Sequence, residues 1–200
     1  MTEITASYLT EIRGRMREIL KPSRYEHTLG VAYTAACMGM VHGVDPLRCE
    51  LAGLLHDCAK NMTDEELLEA CTEAGILLSD EEKALPQILH SIYGAYLAWE
   101  KYGISDAELR SAIRWHTTGK EEMSMLEKII YIADFIEPLR DKASCLPEAR
   151  KLAFTDPDAC MYVILKNTVE YLEQSFVPVE KHTLKAYQYY KAIVSNKRGE

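Results

Sequence analysis

Apolar residues return every three or four positions along most of the chain, the interval that stacks side chains on one helical face. Leu126, Ile129, Ile130, Ala133 and Ile136 keep this interval, as do Tyr162, Leu165, Val169 and Leu172. No stretch alternates apolar and polar residues as a half-buried strand does, and no repeat or low-complexity linker interrupts the pattern. Start signals agree with it. Thr63/Glu66, Ser79/Glu82, Ser105/Glu108 and Ser124/Glu127 have the spacing of a capping box, in which hydroxyl and carboxylate satisfy each other's backbone amides. Asp45-Pro46 and Asp156-Pro157 offer a capping carboxylate followed by a proline at the first helical position. Gly75 and Gly103 are natural stops after Glu65–Ala74 and Ile88–Tyr102. Glu137–Pro147, rich in charge and proline, is the most loop-like stretch. The pattern predicts an all-α fold, a single compact helical domain over residues 1–200. Its motifs lie between about 24 and 140, and helices over 157–195 pack on them.

Composition narrows the class. Of 200 residues, 48% are hydrophobic, enough for a sizeable core, yet no apolar run is long enough to span a bilayer. The early charges between Met1 and Arg15 argue against a secretory signal, so a cytoplasmic protein with no membrane partner is expected. Six cysteines (Cys37, Cys49, Cys58, Cys71, Cys145, Cys160) form no Cys-x-x-Cys pair and read as reduced small hydrophobes. A net charge of −8 argues against a nucleic-acid partner.

Ionisable residues set into apolar context are costly unless something pairs with them. His56-Asp57 closes the apolar run Leu51–Leu55, His27 lies upstream, and Asp134 sits within the apolar stretch Ile129–Ile136. Singly, each has an ordinary reading: a hydrogen-bonded histidine, a charged pair closing a helix, a buried carboxylate held by an arginine. Together, one metal ion bound by His27, His56, Asp57 and Asp134 satisfies all four. Imidazole and carboxylate suit zinc, iron and manganese, in sites that keep open positions. Adjacent residues on a continuous helix diverge, so His56 and Asp57 share an ion only if the helix ends there. His90 and His116 are set similarly and fit a second metal, or a phosphate and its leaving oxygen. His42 reads as a helix end and His182 as a surface residue. Lys60, Arg24, Arg114 and Arg140 are the cations nearest the motifs, placed to neutralise phosphate charge.

The motifs around these residues resemble those of a known superfamily. Arg24–Thr28, Leu54–Lys60, His90–Ala95, Trp115–Gly119 and Leu126–Arg140 are similar to the HD-domain phosphohydrolases, and specifically to the bacterial YqeK family. The resemblance implies a helical bundle that splits diadenosine tetraphosphate symmetrically into two ADP. It implies an iron centre of one or two ions on His27, His56, Asp57 and Asp134, with manganese or zinc as alternatives. Catalytic roles fall to His56, Asp57, Lys60, His90 and His116. Nucleotide contacts fall to Arg24, Asp57, Cys58, Ala59, Lys60, His90, His116, Asp134 and Arg140, and to the tail Val177, Pro178, Val179, Glu180, Lys181 and His182. The tail departs from the family, which has a His-Pro pair ahead of the threonine where this chain has Lys181-His182-Thr183. Partners are the dinucleotide and ADP, and a homodimer is compatible with this reading. The alternatives are an HD phosphohydrolase of another nucleotide (a monophosphate, deoxynucleotide, cyclic nucleotide or guanosine alarmone) and a non-catalytic nucleotide-binding module.

Overall fold

Eleven α-helices run through residues 4–198, the part of the chain that the computed structural model describes, and no strand occurs among them. α1 (Ala6–Ile19) leads into the long α2 (Pro22–His42), which turns back at Gly43 into α3 (Pro46–Leu55). Gly43 holds a φ of 71°, a left-handed conformation that costs a side-chain-bearing residue free energy. α2 and α3 approach so closely that a Cβ at Gly53 would lie 2.6 Å from Ala32 Cα. The small residues at this contact lock the two helices into one platform, with His27 on one and His56 at the end of the other.

α4 (Asp64–Glu73), the short α5 (Asp80–Lys83) and a 3-10 turn (Pro86–Ile88) lead into α6 (Leu89–Glu100) and α7 (Ala107–Trp115). α8 (Met125–Ile136) runs through the core. Leu126, Ile129, Ile130, Ile132 and Ala133 are all fully buried, so its apolar surface extends nearly all round. α9 (Leu146–Leu152), α10 (Pro157–Gln174) and α11 (Lys181–Arg198) complete the bundle. Tyr162 stacks on Tyr187 between the last two, and the Tyr190 hydroxyl accepts from Met123 N at 3.2 Å, joining α11 to the start of α8. A smaller apolar cluster of Leu67, Leu85, Ile88, Leu89 and Ile92 lies under α4, apart from the main core.

The capping boxes at Thr63, Ser79 and Ser124 form as read. The one at Ser105 does not. Asp106 caps α7 instead, accepting from Glu108 N and Leu109 N at 3.0 and 3.2 Å, because its carboxylate reaches two amides and is favoured at the positive helix start. α10 buries Cys160, Met161, Ile164, Leu165 and Val169, while Tyr162 and Leu172 are only half-buried. Cys49, Cys58, Cys71 and Cys160 are buried, but Cys37 is exposed. No described helix is long and apolar enough to cross a membrane.

Candidate metal and phosphate site

α3 stops at Leu55, and the chain continues in successive tight turns: Cys58 N donates to Leu55 O, Lys60 N to Asp57 O and Met62 N to Ala59 O. The helix thus ends where the adjacent pair needs it to. His56 Nε2 lies 3.4 Å from Asp57 Oδ2, and His27 Nε2, reaching across from α2, lies 4.0 Å from the same oxygen. Asp134 on α8 completes the group, with Oδ1 3.0 Å from His27 Nε2 and 4.0 Å from His56 Nε2. On the other side of Asp57, Oδ1 is 3.4 Å from His90 Nε2 and 3.6 Å from His116 Nε2.

Three of the imidazoles are oriented by the same device. His56 Nδ1 donates to Gly53 O and His116 Nδ1 to Ile113 O, each at 2.7 Å. Both residues occupy the C-cap position of their helix, so each bond satisfies a terminal carbonyl and fixes the ring. His27 Nδ1 faces the Glu137 carboxylate at 3.0 Å. With Nδ1 protonated, Nε2 carries the lone pair toward Asp57 and Asp134. The Nε2 atoms of His27 and His56 are buried and have no hydrogen-bond partner. Two orphaned acceptors facing two carboxylates are costly without a cation between them. The donor atoms of His27, His56 and Asp134 lie within 4.8 Å of one another, as do those of His56, Asp57 and His116. The residues therefore fit a metal, and the two overlapping sets fit one ion or two.

Cations ring the cluster. Arg24 Nη1 donates to Asp57 Oδ2 at 2.9 Å and Arg140 Nη2 to Asp134 Oδ1 at 2.6 Å. Burial opposes ionisation of both aspartates. For Asp57 the adjacent His56 and His116, when protonated, outweigh it, holding the carboxyl below its ordinary value. For Asp134 the adjacent His27, when its Nε2 carries a proton, and the charges of His56, His116 and Arg140 do so. Lys60 Nζ sits 3.2 Å from His90 Nε2. Burial depresses the Lys60 ammonium, and burial with the His116 and Lys60 charges pushes His90 down to about 3, so His90 is neutral near pH 7.

Other expected residues lie elsewhere. Arg114 is drawn away from the cluster: it pairs with Glu82 at 2.6 Å and stacks on Trp115. Cys58 donates to Gly94 O, and burial pushes its thiol up to about 12, so it stays protonated. Ala59 is buried in the smaller apolar cluster. In the tail, Val177 and Pro178 are exposed and Val179 half-buried. Buried Glu180 accepts from the His182 and Thr183 amides, Lys181 pairs with Glu81, and His182 packs edge-on against Trp115. His42 bonds Ala153 O at 2.7 Å, meeting the end of α9 rather than of its own helix. Three polar residues went unsuspected in the sequence: Glu137 behind His27; Thr117, whose hydroxyl lies 3.2 Å from His116 Nε2; and Arg150, which bonds the Ile136, Glu137 and Arg140 carbonyls.

A helical bundle with imidazoles and carboxylates gathered where α2, α3, α6, α7 and α8 meet defines a metal-dependent class of hydrolase. The pattern of the HD domain matches residues 24–139, the stretch holding both carboxylates and all four inward histidines, and the chain belongs to the HD-domain family. It is similar to the symmetrical bis(5'-nucleosyl)-tetraphosphatase of Halalkalibacterium halodurans, at 37% identity over 183 residues, 88% of this chain and 95% of the relative. The protein of the same name from Bacillus subtilis is 36% identical over 87% of this chain and 92% of its own length. A crystal structure from Clostridium acetobutylicum, described as a predicted HD superfamily hydrolase involved in NAD metabolism, has a TM-score of 0.88 at 36% identity, covering 92% of this chain and 96% of that one.

Proposed function

We propose that this protein cleaves diadenosine tetraphosphate symmetrically, adding water across the bond between the second and third phosphates to give two ADP. The observation that carries this reading is the pair of orphaned Nε2 atoms facing Asp57 and Asp134, ringed by Lys60, Arg24 and Arg140. The names of the relatives from Halalkalibacterium halodurans and Bacillus subtilis support the substrate.

His27, His56, Asp57 and Asp134 would hold the ion, which we take to be iron, and His116 extends the set toward a second position. When bound, the metal supplies Lewis-acid activation of water and neutralises phosphoryl charge. Arg24 and Arg140, already fixed on the aspartates, present their remaining N–H donors to phosphate oxygens. Lys60 Nζ, partly desolvated, meets the charge that develops at the central bridge. The leaving phosphate has a second pKa near 6, so neutral His90 need not protonate it. His90 and His116 instead orient the polyphosphate through Nε2. Small nucleotides are thus the partners, with neither nucleic acid nor membrane involved. All of this is the work of one domain, in the cytoplasm, and a homodimer is compatible with it.

Chromatography of products from diadenosine tetraphosphate and a panel of other nucleotides tests the reading. ADP is the sole product expected from the dinucleotide, and His56→Ala is expected to lose turnover and bound metal together. AMP with ATP as products, or full activity of a metal-free His56→Ala protein, sinks it.

A further inference from the structure

A cavity of about 770 Å³ opens beside Asp134 and Arg140, between the loop after α8 and the last turns of α10. Its size suits a small-molecule site. Asn167, Tyr171 and Gln174 stand in its wall at positions i, i+4 and i+7, one face of α10. Tyr171 is 66% exposed, so its ring face is open to a ligand in the cavity. Lys142 adds a cation to the rim near Arg140. The tail residues 177–182 do not line this cavity.

We infer that this cavity seats one adenosine half of the substrate, with the base stacked on Tyr171 and its edge read by Asn167 and Gln174. The inference rests on the proposed hydrolysis for its ligand. Its chemistry is independent of the metal cluster. An aromatic ring gives a π-face on which any base stacks. A carboxamide pairs donor and acceptor with adenine as few other side chains do. Arg140 links the two regions: it holds Asp134 at the reaction centre and lies on the cavity wall, so phosphates leaving the base meet it first.

Calorimetric titration of the metal-loaded protein with ADP and, separately, with pyrophosphate tests this. Tyr171→Ala is expected to weaken ADP roughly 5- to 150-fold, the range of base–aromatic stacking, and to leave pyrophosphate within twofold. Tyr171→Phe is expected to bind both as wild type does, and Asn167→Ala to weaken ADP alone. Unchanged ADP affinity in Tyr171→Ala, or an equal loss for both ligands, overturns the assignment. If the wild type releases no ADP from diadenosine tetraphosphate, the hydrolysis reading fails while this comparison still scores the cavity.

Discussion

His27 Nδ1 and Glu137 Oε1 lie 3.0 Å apart across 110 residues of sequence. Glu137 is 1% exposed, and its second oxygen accepts from Leu139 N at 2.7 Å, so the carboxylate is fixed before it meets the imidazole. A carboxylate behind a metal-facing histidine sets the ring's orientation and raises its basicity. Glu137→Ala is expected to weaken metal binding by about 10- to 100-fold, measured by competition with a chromophoric chelator. Glu137→Gln, which keeps an acceptor oxygen, is expected to fall between. Wild-type metal affinity in Glu137→Ala would remove Glu137 from this role.

Gly30 makes room for that carboxylate. A Cβ there would lie 2.6 Å from Glu137 Oε2. Gly30→Ala is expected to shift the metal affinity in the same direction as Glu137→Ala. Because both act through one contact, the double variant should lose little more than either single one. Additive losses would show two separate causes.

Gly53 answers to a different constraint. The atoms an added Cβ would meet, Ala32 Cα at 2.6 Å and Ala32 N at 3.0 Å, are backbone and cannot rotate away. Gly53→Ala is expected to cost about 1–3 kcal/mol of stability as an overpacked helix contact. Gly14, in α1, has nothing within 4 Å of such a Cβ, so Gly14→Ala should gain up to about 1 kcal/mol. Urea denaturation of the two variants measures both signs, and equal responses would contradict the packing account.

The expected ligands come from α2, the turn after α3, and α8, so a bound ion joins elements far apart in sequence. Chelation should therefore lower the melting temperature. Metal at one hundred times its dissociation constant adds about 2.7 kcal/mol. A thermal scan with and without chelator checks this, and identical curves would argue against a metal held by the folded state.

Acid should act through His90. An unfolded histidine takes its proton near pH 6.5, whereas folded His90 resists to about 3. Between these values the unfolded state holds more protons, so stability falls with pH by up to about 1.4 kcal/mol per unit. Asp57 and Asp134, held below their ordinary value, add to the loss at lower pH. His56 is raised, because Asp57 outweighs its burial, and acts oppositely: its contribution is present below 6.5 and lost as pH rises through the folded value. The diagnostic is thus a difference. Metal-free His90→Asn should show a shallower decline than wild type between pH 6.5 and 4 in urea titrations, and parallel slopes would count against it.

The helices and the gathering of His27, His56, Asp57 and Asp134 were legible because both have local signatures. Ser124 with Glu127 announces α8, and Asp134 stands out inside it. What escaped depends on folding. Glu137 is an ordinary glutamate before a proline until α2 and α8 pack together, and only Gly30, opposite it, hints at a close approach. Ser105 and Asp106 compete for one cap, and spacing cannot rank a hydroxyl against a neighbouring carboxylate. Arg114 precedes Trp115-His116 and reads as a site residue, but the end of α7 turns it toward Glu82. Tyr171 belongs to no motif, so its place on the cavity wall emerges only from the crossing of α10 and the loop after α8.

His56 and His116 each terminate a helix, and their rings lie 5.0 Å apart, so the carboxyl ends of α3 and α7 converge on one point. Each such end carries roughly half a negative charge from its aligned peptide dipoles. The backbone thereby lends the centre on the order of one unit of cation-attracting charge. No acid titrates that share, and no count of Asp and Glu side chains records it.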